Sequence, residues 1–270
     1  MVKVARALTI AGSDSGGGSG IQADLKTFAA LGVYGASAIT AVTAQDTQRV
    51  YSAIEMAPAL VAAQIDAVLG DIGADTVKTG MLSSAAIVGV VADRLERWEV
   101  TRLVVDPVFA ATSGERLLAA GALRVLKERL LPRALIVTPN IPEAETLVGH
   151  PIATWDEMRT AAREIYALGP QNVVIKGGHR EGAQATDLLF DGVDFREFSA
   201  GRVETRNSHG TGCTFSAAIA ATLAKGESVP NAVLAAKAYI TKALQNSYPL
   251  GSGRGPVHHF YRYWQPRGET

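Results

Sequence analysis

The stretch Asn207-Ser-His-Gly-Thr-Gly-Cys213 places two glycines, a threonine hydroxyl and the chain's only cysteine directly before an alanine-rich helical pattern. Gly210 and Gly212 let the backbone turn tightly, so that successive N–H groups can aim at one spot. The first helical turn adds its unpaired N–H groups and the positive end of its dipole. With Thr211 between the glycines, the product is a cradle for a phosphate that is gaining charge. The plainer alternative is a helix start capped by a small polar residue. Cys213 sits at the mouth of the cradle, where a helix N-terminus lowers a thiol pKa and suits it to act as base or nucleophile. Inert packing is the competing role for a lone cysteine.

Other residues of the same chemical promise follow predicted strands. Asp106 precedes Pro107 and is placed to reach magnesium or its waters, or merely to start a turn. In Thr138-Pro-Asn140-Ile-Pro-Glu143, Asn140 and Glu143 could meet a hydrated metal or cap the helix they begin. Lys176-Gly-Gly178 offers a cation for phosphate and glycines that admit a nucleotide, against a snorkelling surface lysine. The glycine loop 12–20 contains Gly18-Ser-Gly20-Ile-Gln-Ala23, a loose match to a dinucleotide fingerprint. That fingerprint wants its glycines immediately after the strand and an acidic residue closing the next one, and here Gln45 precedes Asp46. A loop that lets a small substrate approach the backbone fits better. No Gly-x4-Gly-Lys-Ser/Thr element occurs, so phosphate chemistry must use another cradle. His150, His179 and His209 are dispersed, and His258-His259 lies in an aromatic tail that reads as packing or a subunit contact rather than a zinc site.

These groups need a scaffold that gathers strand ends. Strands are predicted over residues 5–11, 36–43, 76–79, 102–106, 135–138 and 173–176. Helices are predicted over 21–31, 58–69, 85–98, 118–130, 142–148, 155–168, 212–225 and 229–245. Continuous apolar strands alternating with helices imply a mostly parallel sheet covered on both faces. Residues 185–190 and 195–199, joined across Asp191-Gly192, predict a hairpin as the antiparallel part at one edge. Ligands of such sheets bind beyond the carboxyl ends of the strands, where Asp14, Gln45, Lys78, Asp106, Asn140, Lys176 and the 207–213 loop should meet. No repeat, charge block or linker divides the 270 residues, so a single domain over 1–270 is expected. Charges balance at 26 basic and 26 acidic residues, which argues against nucleic acid or an anionic membrane as partner. The lone cysteine, the lack of an apolar run of membrane-spanning length and the lack of a signal-peptide pattern lead us to expect a cytoplasmic protein.

The order of these motifs resembles the hydroxymethylpyrimidine and phosphomethylpyrimidine kinases of thiamine synthesis, within the ribokinase superfamily. The resemblance runs through the stretch 11–26, Ala44-Gln-Asp-Thr47, Lys78-Thr-Gly-Met81, Val105-Asp-Pro-Val108, Thr138-Pro-Asn140, Lys176-Gly-Gly-His179 and His209-Gly-Thr-Gly-Cys-Thr214. It implies a three-layer α/β/α fold, ATP and Mg2+ as cofactors, a small-molecule pyrimidine as substrate and a homodimer. It also implies that Gln45, Gly12, Asp24 and Met81 line the pyrimidine pocket, and that Asp106 and Glu143 lie near magnesium and meet it through water. Lys176, Gly178 and Asn140 fall on the nucleotide side, and Gly210, Thr211 and Gly212 form the anion hole beside Cys213. Ribokinase-like sugar kinases carry aspartate where this chain has Cys213. Thr112 stands where many relatives have lysine, which puts the second phosphorylation in question. The rival functions are a pyridoxal or pyridoxine kinase on the same fold, an NAD-dependent oxidoreductase built on the 12–20 loop, and a ligand sensor without turnover.

Overall fold

The computed structural model describes residues 4–109, 119, 121–179 and 182–266. Thr112 and the expected helix start at residue 118 lie outside the described residues. Nine strands form one sheet in the order β3-β2-β1-β4-β5-β6-β7-β8-β9. The central strands are β1 (Arg6–Asp14), β2 (Tyr34–Gln45), β4 (Thr76–Thr79), β5 (Leu103–Val105), β6 (Ile136–Val137) and β7 (Val173–Ile175). All of them run parallel, so their carboxyl ends share one edge of the sheet. The predicted hairpin is β8 (Gln184–Phe190) and β9 (Phe195–Gly201), antiparallel at one side.

Period-two alternation sorts each buried strand between two cores. Leu8, Ile10, Val77, Leu103, Val105, Val173 and Ile175 pack under α2 (Pro58–Ala67), α3 (Ala85–Arg97), α5 (Ile141–Val148) and α6 (Trp155–Tyr166). Ala7, Val104, Ile136 and Val174 face α1 (Gly20–Ala30), α7 (Thr211–Ala224) and α8 (Val229–Gln245). The result is three layers, helix on sheet on helix. Helix α7 is apolar on every side and buried from Thr214 through Ala221, as expected of a helix enclosed by its neighbours. Its N-terminus is thereby fixed against the sheet's ligand edge.

Three features depart from the expectations. A second antiparallel element, β3 (Val50–Glu55), pairs with β2 at the opposite edge. None of its residues is buried, so no burial rhythm marked it in the sequence. Strand β1 continues past Gly12 to Asp14 through a register shift between Ala11 and Ser13, which carries Asp14 to the site. The helix expected up to residue 130 is, where described, a short α4 (Ala122–Val125) widening into a π turn at Leu126–Leu130.

The aromatic tail is packing. His258 Nε2 lies 2.9 Å from the carbonyl of Trp264, and the Tyr239 hydroxyl donates to the carbonyl of His259 at 2.7 Å. His259 Nε2 meets Thr214 Oγ1 at 3.0 Å, and burial lowers that imidazole to about 3, so it is neutral. No helix among the described residues is long and apolar enough to cross a membrane.

Candidate active site

The carboxyl ends of β1, β2, β4, β5, β6 and β7 and the start of α7 surround a cavity of about 690 Å3. Twelve of the thirteen residues singled out in the sequence line it. Gly12, Gln45 and Met81 form one side, and Asp106, Asn140, Glu143, Lys176 and Gly178 form the other. Gly210, Thr211, Gly212 and Cys213 stand between them.

Asp24 is the exception, and the expectation that it lines the pocket is not met. It lies on the inner face of α1, 0% exposed, where both carboxylate oxygens accept from Lys78 Nζ at 3.0 and 2.9 Å and one accepts from Thr9 Oγ1 at 2.6 Å. Its role is to hold Lys78. Burial alone would discharge that lysine, but Asp24 keeps it protonated well above its ordinary range.

The cradle takes its shape from Gly210, which caps α7 with φ +78°. A side chain there would begin 1.8 Å from the Gly18 carbonyl oxygen, so only glycine fits. Among the described residues, the amides of Gly210, Gly212 and Cys213 have no hydrogen-bond partner. The Thr211 amide is engaged by the Ser208 carbonyl at 3.2 Å, and its hydroxyl donates to the same oxygen at 2.7 Å. Three unpaired donors therefore belong to cavity-lining residues at a helix N-terminus, an arrangement suited to phosphate oxygens. Lys176 stands beside them, with its Nζ 3.3 Å from where a Gly212 side chain would begin.

Lys176 Nζ donates to Asp106 Oδ1 at 2.8 Å and lies 3.8 Å from Glu143 Oε2. Burial acts against every charge in this trio. For Asp106 the two lysines, Lys176 and Lys78, prevail and hold its carboxyl below the usual range. For Glu143 burial prevails, with repulsion from Asp106 adding to it, and the carboxyl rises to about 7. Glu143 and Asn140 also form the capping box of α5. Asn140 Oδ1 accepts from the Glu143 amide at 2.8 Å, and Glu143 Oε2 from the Asn140 amide at 2.7 Å. Helix capping and a place on the cavity wall thus coincide in the same two residues.

Cys213 does not have the lowered pKa expected from its helix position. Burial pushes the thiol up to about 11, with Asp106 and Asp24 adding to it, against the pull of Lys78 and a Gly20 amide bond. Helix dipole effects are worth a fraction of a unit to a unit or so, too little to reverse desolvation here.

Sequence reasoning singled out neither His209 nor the role of Asp14. Asp14 is buried and accepts from the amides of Gly16, Gly18 and Ser19, from Ser19 Oγ, and from His209 Nε2 at 2.8 Å. Burial would raise its carboxyl, but the bonds to His209 and Ser19 bring it down to about 2. Lys237 and Asp187, paired at 2.9 Å on the far wall, were also unmarked.

The phosphomethylpyrimidine kinase family profile matches residues 14–258. The chain belongs to that family. It is 54% identical, over 96% of its length and 98% of the relative's, to a hydroxymethylpyrimidine/phosphomethylpyrimidine kinase of Rhizobium meliloti. Over 93% of its length it is 52% identical to a thiamine biosynthesis bifunctional protein of Geobacter sulfurreducens, spanning 51% of that protein. Among solved structures, a Bacillus subtilis pyridoxal kinase in complex with ADP superposes with a TM-score of 0.90 at 40% identity, covering 95% of this chain and 98% of that one. The three-layer fold is therefore that of a kinase of this family.

Proposed function

We propose that this protein, as one kinase domain over residues 1–270, transfers the γ-phosphoryl group of ATP to the hydroxymethyl oxygen of 4-amino-5-hydroxymethyl-2-methylpyrimidine. It then phosphorylates the monophosphate to the diphosphate, in thiamine biosynthesis. One observation carries the reading: the unpaired amides of residues 210, 212 and 213 border the same cavity as Gln45, Gly12 and Met81. A ring held by the second group presents its alcohol to a phosphate held by the first. The Gln45 amide both donates and accepts, as the edge of an aminopyrimidine requires. Met81 supplies an apolar surface, and its Cε would lie 2.7 Å from any Gly12 side chain, so the ring lies against backbone at Gly12.

Phosphoryl transfer has a loose transition state, so alignment and neutralisation of charge outweigh a strong base. The cradle amides and Lys176 receive the negative charge that develops on the migrating group. Cys213, protonated in this environment, holds the alcohol oxygen in line. As that oxygen bonds the γ-phosphorus and the bond to the ADP oxygen breaks, the alcohol proton passes to an oxygen of the transferred phosphoryl group. On this reading Cys213→Ala lowers kcat by about 10²-fold, at the lower end of what a positioned proton-handling group contributes, and leaves ATP affinity near that of the wild type. An unchanged kcat would remove Cys213 from the mechanism.

Asp106 and Glu143 offer hard oxygen donors of the kind magnesium prefers. No group of three metal-ligating side chains forms among the described residues, so these two carboxylates would reach the ion through water while phosphate supplies direct ligands. An ion held there would supply positive charge to neutralise the phosphate groups. A homodimer is part of the proposal, since edge strand β3 leaves Ile54 67% exposed on one face and Tyr51 exposed on the other. Sedimentation of an Ile54→Lys variant, with a monomer expected only if β3 is the contact, tests it.

The decisive experiment incubates the protein with ATP, magnesium and the hydroxymethyl pyrimidine and follows mono- and diphosphorylated products by mass. Failure to form either product would overturn the assignment. The pyridoxal kinase of B. subtilis supports a second reading, vitamin B6 phosphorylation as a side activity. Competition between the two alcohols, compared by kcat/KM, separates main from side substrate.

A further inference from the structure

Two loops that are remote in sequence meet at one buried contact. The glycine loop of residues 14–20 wraps around the Asp14 carboxylate, whose Oδ1 accepts from the Gly16 amide at 2.8 Å. Its Oδ2 accepts from the Gly18 and Ser19 amides at 3.2 and 2.9 Å and from Ser19 Oγ at 2.9 Å. The remaining bond to Oδ2 comes from outside the loop, from His209 Nε2 at 2.8 Å, and His209 immediately precedes the phosphate cradle. Around this bond the loops touch backbone to side chain. A side chain at Gly18 would begin 2.3 Å from His209 Cδ2, and one at Gly210 would begin 1.8 Å from the Gly18 carbonyl oxygen. From behind, the His209 amide donates to the Gly255 carbonyl at 3.0 Å, and His209 bridges to Pro256, so the histidine backbone is pinned.

The protonation pattern has a consequence for the ring site. An ionised Asp14 can only accept, so His209 must carry its proton on Nε2. Gln45 Nε2, also a donor, lies 3.4 Å from that same nitrogen, and two donors facing each other do not bond. Thr43 Oγ1, which donates to the Ser13 carbonyl at 3.0 Å, lies 3.3 Å from the Gln45 side-chain oxygen, and the Gln45 N–H groups stay available to a ligand.

We infer that the Asp14–His209 bond is a latch that assembles the ring pocket and the phosphate cradle as one unit. His209 acts as a positioning residue: it sets the glycine loop against residues 210–213 and keeps the Gln45 amide free for the ring. The inference rests on the pyrimidine kinase reading, because its role is to bring a ring-borne alcohol to a phosphate. Breaking the latch should misplace the alcohol while leaving the nucleotide side, around Lys176 and Gly178, intact. A displacement of about an ångström costs phosphoryl transfer about 10²-fold.

The test compares wild type, His209→Ala and His209→Gln, whose amide can still donate to Asp14. Each is measured for kcat/KM toward the pyrimidine, for ATP affinity, for thermal unfolding, and for hydrogen exchange in the peptide spanning 14–20. The latch predicts that His209→Ala loses about 10²-fold in kcat/KM toward the pyrimidine, keeps ATP affinity, and exchanges faster at 14–20. It predicts that His209→Gln recovers most of both losses. Should His209→Ala fail to fold, the comparison rests on His209→Gln, where near wild-type transfer supports the latch and a loss in a folded protein overturns it. Transfer by His209→Ala at the wild-type rate, or equal losses of ATP and pyrimidine affinity, would also overturn it. A wild-type protein that fails to phosphorylate the pyrimidine refutes the functional reading instead, and the exchange measurement then decides the latch alone: unchanged exchange at 14–20 rejects it.

Discussion

Of the three lysine–aspartate pairs whose lysines line the cavity, the two at strand ends do different work with the same chemistry. Lys78 and Asp24 lie 2.9 Å apart with both side chains 0% exposed, and Thr9 completes the carboxylate's bonding. Lys176 and Asp106 lie 2.8 Å apart, but Lys176 is 12% exposed and shares its charge with Glu143. In the sealed pair both Asp24 oxygens are held by Lys78 and one of them by Thr9 as well, so the two charges stay together even though Lys78 also acts on Asp106. In the open pair an arriving phosphate can replace a carboxylate without leaving the ammonium unpaired. Whether a buried cation serves folding or binding is thus decided by whether its anion can be exchanged.

The largest effect should come from the sealed pair. Lys78→Met leaves a lone carboxylate in the interior and should lower unfolding free energy by about 3–5 kcal/mol, measured by denaturant titration. Adding Asp24→Leu should return much of that loss, because replacing both members of a buried pair by apolar residues is often neutral. If the double variant were as unstable as the single one, the pair would not be an isolated keystone. Lys176→Met should instead lower kcat/KM for ATP by about 10²-fold, in line with loss of one group that stabilises the transferring charge, and should cost less stability than Lys78→Met. Equal instability of the two methionine variants would erase the distinction.

A smaller effect is a pH dependence. Glu143 in the folded protein holds its proton up to about 7, whereas the ordinary value is 4.5. A raised folded pKa means that its contribution is fully present below about 4.5 and is lost as pH rises through about 7. Unfolding midpoints from pH 4.5 to 8 should therefore decline more in the wild type than in Glu143→Gln. Parallel profiles would mean that Glu143 is ionised throughout.

Much of this was legible in the sequence. The alternation of apolar strands and helices announced the parallel sheet, and the strand-end position of Asp106, Asn140 and Lys176 announced the cavity wall. What escaped depends on distance in the chain or on absent burial. The partner of Asp14 is 195 residues away, so no local pattern could mark His209. Strand β3 buries nothing and exists through its pairing with β2. Asp24 was misplaced because its loop motif is shared with the site, whereas the turn of α1 carries it beneath Lys78. The Cys213 thiol followed burial rather than its helix position, a balance that needs the surrounding atoms.

The central claim is that the amides of residues 210, 212 and 213 receive the migrating phosphoryl group. It is tested most directly by the rate of pyrimidine phosphorylation in Gly210→Ala at saturating substrates. A side chain there collides with Gly18 and strains a φ of +78°, so the cradle must open. The account predicts a fall in kcat of about 10²–10³-fold, as for loss of an oxyanion-hole donor, whereas a folded variant with wild-type kcat would contradict it.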